Sequence, residues 1–305
     1  MRRIIEYEVT KESDGTPVKE ILHRHFGLSA RQVSRLKFQA DGILVDGEKV
    51  TVRHILQEGE RLSLCLEAAA KGSDHLMPTE GVLDIRYEDE DMLLINKPSG
   101  VVVHPSHGHF NDSLANVVVF HYQTQGQHLV VRPVGRLDKD TSGLILIAKH
   151  AAAAACFDRQ RREGDLSRIY LALVEGCPEA VSGRIDAPLG RVDGSLILRQ
   201  VSADGDSALT DYEVLQPGPH FSLVRLKLHT GRTHQIRVHM AYLGHPLLGD
   251  PLYGTEGSFG MKRTALHSWQ ICCRHPLTGA ALDFTCPMPQ DMAALADELP
   301  ACGSR

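Results

Sequence analysis

The nine residues Gly135-Arg136-Leu137-Asp138-Lys139-Asp140-Thr141-Ser142-Gly143 hold two carboxylates, two bases and two hydroxyls between two glycines. They stand directly before the apolar run Leu144 to Ala148, which reads as a short buried strand. Polar groups fixed at the rim of a sheet are where reactive side chains are held rigid, so this stretch is a candidate site; an ordinary polar turn is the competing reading. A second concentration runs from Arg225 to His239, with Arg225, Lys227, Arg232, Arg237 and three histidines but no acid. It suggests a polyanion or carboxylate partner, against a solvated strand edge and helix.

Other chemistries fit these residues less well. His229 falls on a strand while His234 and His239 are five apart on a helix, about 140° round, which is not a metal triad. His104, His107 and His109 share a Pro/Gly loop without carboxylate or Cys support. Asp138-Lys139-Asp140-Thr141 is similar to the D-x-D-x-T motif of the haloacid dehalogenases, but the Thr comes one residue early and the strand follows instead of preceding.

The elements that must position these groups follow from periodicity. In the first 66 residues, Leu22 and Phe26 lie on a helix from Val18 that Gly27 stops, and Ser29 caps a second helix carrying Val33 and Leu36 inward. Ile43 to Val45, Asp46-Gly47 and Lys49-Val50 read as strand, turn and returning strand, and Arg61 to Leu66 as a last strand. Residues 67–80 lack periodicity and contain Gly and Pro, the composition of a linker. A second domain spans 81–290, with residues 291–305 expected to be a C-terminal tail.

Within it, Leu93 to Pro98, Leu144 to Lys149, Ser167 to Gly176 and the alternation around Val224, Leu226 and Leu228 predict strands. Ala151 to Arg162 predicts a helix ending near Gly164, and Thr233 is expected to cap another reaching Leu243. The fold class expected is α+β: a mixed, largely antiparallel sheet with flanking helices, plus a small N-terminal α/β module.

Composition sets outer limits. The 305 residues give about two domains as a prior, and 33 Lys+Arg against 38 Asp+Glu excludes a uniformly basic nucleic-acid coat but not a local patch. Between Lys19 and Arg53 seven bases face four acids, a local +3 in a chain of net −5. No apolar run approaches the roughly 18 residues of a membrane span, and the start has no secretory signal pattern, so a cytoplasmic protein with no membrane partner is expected. Seven cysteines with no C-x-x-C pair read as thiols in a reducing compartment.

Arg136-Leu137-Asp138-Lys139-Asp140-Thr141-Ser142-Gly143-Leu144 resembles the R-L-D-x-x-T-S-G-L signature of the RluA-type pseudouridine synthases. Asn96-Lys97-Pro98-Ser99-Gly100, Tyr170 to Gly176, Thr230 to His239, Gly244 to Gly254 and Leu266-His267-Ser268 follow in that family's order, so the resemblance covers roughly Gly81 to Pro289. One departure is Gly135, where the family usually has His and the small-subunit pseudouridine synthases have Gly; it bears on the RNA target and leaves the reaction untouched. Leu28 to Lys37, Ile43 to Val50 and Glu58-Gly59-Glu60 resemble the RNA-binding module of ribosomal small-subunit protein four, with Asp46 where Asn is usual.

The resemblance implies an isomerase without cofactor or metal, acting on uridines of ribosomal RNA, most naturally the large subunit's; transfer RNA, or a non-catalytic RNA-binding assembly factor on the same fold, are the alternatives. It implies Asp138 as the catalytic carboxylate, Arg237 as its buried partner and Tyr170 as the ring that stacks on uracil and handles the proton step. Arg136, Arg232 and Lys227 would hold RNA backbone, and Arg31, Arg35 and Lys37 would form the module's docking surface. A monomer binding RNA and no DNA is the expected assembly.

Overall fold

The computed structural model describes residues 2–67, 73 and 76–300. The N-terminal unit is a four-stranded antiparallel sheet, β1 (Arg2–Glu8), β2 (Ile43–Val45), β3 (Glu48–Lys49) and β4 (Arg61–Glu67), in the order β1-β4-β2-β3. Helices α1 (Val18–Arg24) and α2 (Ala30–Phe38) cover it. Ser29 caps α2 as expected: its hydroxyl accepts from the Gln32 amide, and the Gln32 side chain accepts from the Ser29 amide. Val18, Leu22, Val33 and Leu36 then close over Leu62 and Leu64. β1 carries no clear alternation in the sequence; pairing with β4 makes it a strand.

The larger sheet contains β5 (Asp84–Glu88), β6 (Met92–Lys97), β7 (Arg132–Pro133), β8 (Ser142–Ala148), β9 (Ser167–Glu175), β10 (Ser182–Asp186), β13 (Leu209–Gln216), β14 (Phe221–Leu228), β15 (Leu266–Arg274) and β16 (Ala281–Thr285). Between β10 and β13, β11 (Leu189–Arg191) and β12 (Arg199–Val201) form a separate hairpin. The main path runs β10-β13-β14-β9-β15-β8-β6-β5, and among its described pairs only β8 with β15 is parallel. This is the α+β, largely antiparallel architecture expected. Helices α3 (Leu114–Thr124) and α5 (Gln235–Tyr242) pack with Leu93, Ile145, Ala172 and Leu226 on one face. On the other lie α4 (Ala151–Glu163), over Leu94, Leu144 and Leu146, and α6 (Gln290–Asp297), over Leu171, Leu173 and Leu223.

Three expectations change. Of the expected tail 291–305, residues 291–297 belong to α6, whose Met292 and Ala296 are buried against the sheet, and 301–305 lie outside the described residues. Of the linker stretch, 68–72 and 74–75 lie outside the described residues, but the Met77 carbonyl accepts from the Asn116 side chain and Leu76 joins the core beside α3. The module is also seated on its neighbour: Arg3 pairs with the buried Asp91, Arg159 donates to the Arg24 and His25 carbonyls, and Ala152 of α4 lies in the module's own core. A short apolar side chain such as Ala gives no sequence signal of which of two cores it will enter.

Candidate active site

Asp138 sits on the loop that enters β8, and that loop is pinned from several sides. Lys97, with no exposed surface at the end of β6, donates to the carbonyls of Pro98, Val101 and Lys139 at 2.8, 2.8 and 3.0 Å. The Gly100 amide also reaches the Lys139 carbonyl, and the Ser99 hydroxyl and Arg263 guanidinium reach that of Asp140. Burial pushes the Lys97 ammonium down to about 7 against the opposing pull of Asp140 and Asp138. Beyond the loop, β8 crosses so close to β15 that a Cβ on Gly143, whose φ is +105°, would drive into the Ser268 backbone. The Thr-Ser-Gly sequence is therefore a packing requirement as well as a motif.

Facing this loop is α5. Its first turn is not closed by Thr233. His234 precedes it in the left-handed region, at φ 57°, without capping, while the Gln235 side chain accepts from the Arg232 amide and the Thr230 hydroxyl. A non-glycine residue held at positive φ is strained and persists where the surroundings fix it. Here the turn aims His234 and Arg237 at Asp138: Nε2 of His234 lies 3.9 Å and Nη1 of Arg237 3.5 Å from Asp138 Oδ2.

Arg237 is anchored from behind. Asp250, with no exposed surface, accepts from Arg237 Nε and Nη2 at 2.7 Å each, a fork that leaves Nη1 for Asp138. Tyr253 lies under the guanidinium, 5.1 Å from its ring centre, and its hydroxyl meets His234 Nδ1 at 2.9 Å. Burial opposes the charge on Arg237, but Asp250 and then Asp138 outweigh it and hold the guanidinium more firmly protonated. His234 is shifted the other way, chiefly by burial, and favours its neutral form. Asp250 and Tyr253 fall in the stretch Gly244 to Gly254 that the resemblance covers, but nothing local in the sequence marks them as partners of Arg237.

Tyr170, on β9, is 4% exposed and lines the same cavity as Asp138, Thr141, His234 and Arg237. Burial pushes its phenol upward, with the Arg168 charge pulling the other way and Asp138 adding to the rise. The cavity is narrow, with about 50 Å³ of space accessible to water. Arg136 and Arg232 are the exposed cations at its mouth.

The remaining candidates fall elsewhere. Lys227 is exposed on the opposite face of β14 from Leu226, which pairs with Tyr170, so the sheet does not bring it to the cavity. Arg31, Arg35 and Lys37 are exposed on α2, and none lines the Asp138 cavity; Arg35 borders a separate cleft between the module and α4. The histidines of the basic stretch separate as well: His229 bonds Asp211, His239 bonds Thr210 and the Ala187 carbonyl, and His234 alone faces Asp138.

A buried Arg clasped to one acid and offered to a second, partly buried one, with a tyrosine ring beside them and arginines outside, suits a reaction on a flipped base in an anionic polymer. Comparison with known proteins gives the same class. Residues 91–242 match the family model for RNA pseudouridylate synthases. The chain is 43% identical over 270 residues to the uncharacterised RNA pseudouridine synthase YjbO of Bacillus subtilis, covering 88% of this chain and 94% of that one. It is 40% identical to ribosomal large subunit pseudouridine synthase D of Zymomonas mobilis (72% and 74% covered) and 38% to that of Vibrio parahaemolyticus (87% and 86%). Human RNA pseudouridylate synthase domain containing 1 superposes with a TM-score of 0.57 at 27% identity, over 72% of this chain and 90% of that one.

The chain belongs to the RNA pseudouridine synthase family, isomerases that convert uridine in RNA to pseudouridine.

Proposed function

We propose that this protein isomerises specific uridines of large-subunit ribosomal RNA in the cytoplasm, with Asp138, Tyr170 and Arg237 as its catalytic residues and without a cofactor. The observation that carries the reading is the convergence of those three side chains on one cavity. The choice of RNA rests on the similarity to the two large-subunit enzymes. In the reaction the bond from N1 of uracil to the sugar breaks, a bond from C5 forms, and the C5 proton leaves as N1 gains one. The target uridine leaves the stack and lies on Tyr170, with Asp138 beside the sugar and ring as the reacting carboxylate.

Arg237 gives that carboxylate a positive partner, with Nη1 3.5 Å from Oδ2, and so helps to hold it in place beside the base. The Tyr170 hydroxyl, next to ring carbon 5, manages the departing proton. Arg136 and Arg232 grip phosphates around the cavity, and Arg31, Arg35 and Lys37 give the module its own RNA contact.

The test is to map pseudouridines in ribosomal and transfer RNA from cells with the gene, without it, and complemented with wild type or Asp138→Asn. Loss of large-subunit sites restored only by wild type supports the reading. Loss confined to transfer RNA refutes the target, and restoration by the Asn variant refutes the assignment of Asp138.

A further inference from the structure

Arg168 has no role in the reaction as described, and its surroundings call for one. It lies two residues before Tyr170 on β9, on the same face of the sheet, paired with Leu228, whose side chain lines the cavity. Only 9% of the residue is exposed. Its Nε is buried without a hydrogen-bond partner, and its Nη2 reaches the Thr230 carbonyl at 3.5 Å, the outer limit of a hydrogen bond. No carboxylate of the described residues forms an ion pair with it. A nearly buried cation in this state is costly, because desolvation is not offset by a counter-charge.

The guanidinium is seated between two glycines. A Cβ on Gly135 would stand 3.2 Å from Nη1, and one on Gly231 would stand 3.0 Å from Nη2. The residues that follow them are Arg136 and Arg232, the exposed cations of the cavity mouth. Two loops thus lead from the buried Arg168, with donors to spare, to two exposed arginines at the cavity mouth, of which Arg232 donates Nε to the Ser207 carbonyl and lies 3.8 Å from the exposed Asp206. Gly135, at φ +94°, has no side chain to crowd Nη1 of Arg168.

We infer that Arg168 is a phosphate-binding residue of the active site, receiving a phosphodiester next to the flipped uridine between the Gly135 and Gly231 loops. The inference rests on the pseudouridine synthase reading and deepens it. An anion fits better than a uracil carbonyl, because Arg168 stands outside the cavity lining and both glycines against its guanidinium lead directly into arginines of the cavity mouth. A guanidinium with an unpartnered Nε, one long bond from Nη2 and no counter-charge has donors ready for phosphate oxygens.

The test uses full-length wild type, Arg168→Gln and Arg168→Lys with an unmodified large-subunit RNA transcript, measuring kcat, KM, RNA affinity across a salt series, and Tm. For Arg168→Gln we expect KM to rise about tenfold or more with kcat little changed. The slope of log affinity against log salt should become shallower by about 0.7 to 0.9, one phosphate contact. Tm should hold or rise, since an unpaired buried cation is removed. Arg168→Lys should keep the salt slope and recover part of KM, because it keeps the charge and loses the fork. Gly231→Ala, which crowds the guanidinium without removing it, should raise KM in the same direction.

An unchanged KM and salt slope in Arg168→Gln would overturn the inference. So would a fall in Tm with kcat and KM lost together, the mark of a structural arginine. A wild type that binds this transcript but does not turn it over refutes the proposed RNA target instead, and the salt slope still reports on Arg168.

Discussion

Asp250→Asn perturbs the arrangement at a residue with no exposed surface. Asp250 Oδ1 accepts from Arg237 Nη2 and the amides of Leu252 and Tyr253, while Oδ2 accepts from Arg237 Nε alone. Asn keeps three of these four bonds by placing its oxygen at Oδ1. Its NH₂ group then meets the Arg237 Nε–H, donor against donor, and the buried guanidinium loses its full counter-charge. Breaking a buried ion pair costs about 3–5 kcal/mol. Asp138, 3.5 Å from Nη1, remains as a partial partner, so the lower end, about 3 kcal/mol of stability, is expected.

For the reaction, removal of a preorganised electrostatic contact costs about 10²–10³ in rate. Arg237 is still present here but free to tilt away from Asp138, so a loss of about 10- to 100-fold, roughly 1.4 to 2.8 kcal/mol, is the expected effect on the chemical step. Single-turnover release of tritium from RNA carrying 5-tritiated uridine reads that step, and denaturant unfolding reads stability. A variant that loses the expected stability yet keeps its single-turnover rate within twofold of wild type would refute the claim that Asp250 aims Arg237.

Two further perturbations test other parts of the site. Tyr170→Phe keeps the stacking ring and loses the hydroxyl, so RNA affinity should stay within a few fold while product forms slowly or an intermediate accumulates; equal product rates would reduce Tyr170 to a platform. Lys97→Met tests the buried clamp under the Asp138 loop. Because burial lowers the folded Lys97 to about 7 from 10.5, the unfolded chain binds more protons between those values. Wild type should therefore gain stability relative to Lys97→Met as pH rises from about 7 towards 10.5 and show a constant difference below that window. Denaturant titrations of both proteins across the range check it, and a difference independent of pH would contradict the assignment.

Much of this site was legible because its residues lie in local patterns. Asp138 precedes a five-residue apolar strand, Tyr170 alternates with Ile169 and Leu171, and Arg237 stands one turn into a helix whose apolar face is plain. The strong caps were legible too: Ser29 starts α2, and α4 ends at Gly164. What sequence could not give is whatever depends on distant register. Lys227 sits in a strand that was read correctly, but only the pairing of Leu226 with Tyr170 shows which face it occupies. Asp250 meets Arg237 across a turn thirteen residues later, and Arg168 becomes unusual only when Gly135 and Gly231 fold over it.

Thr233 matched the usual N-cap chemistry, yet the Gln235 side chain satisfies the turn in its place, so a valid local rule lost to a tertiary network. The parallel β8–β15 pairing and the seating of the module on α4 likewise join segments more than a hundred residues apart.

The central claim is that Asp138 performs the isomerisation. Purified full-length wild type and Asp138→Asn, incubated with unmodified large-subunit RNA transcript and assayed for pseudouridine, test it most directly. The account predicts modification at discrete uridines by wild type. It predicts turnover below about a hundredth of that for the Asn variant, with RNA affinity within a few fold, because Asn keeps the shape and loses the charge. Pseudouridine formation by Asp138→Asn at a comparable rate would contradict it.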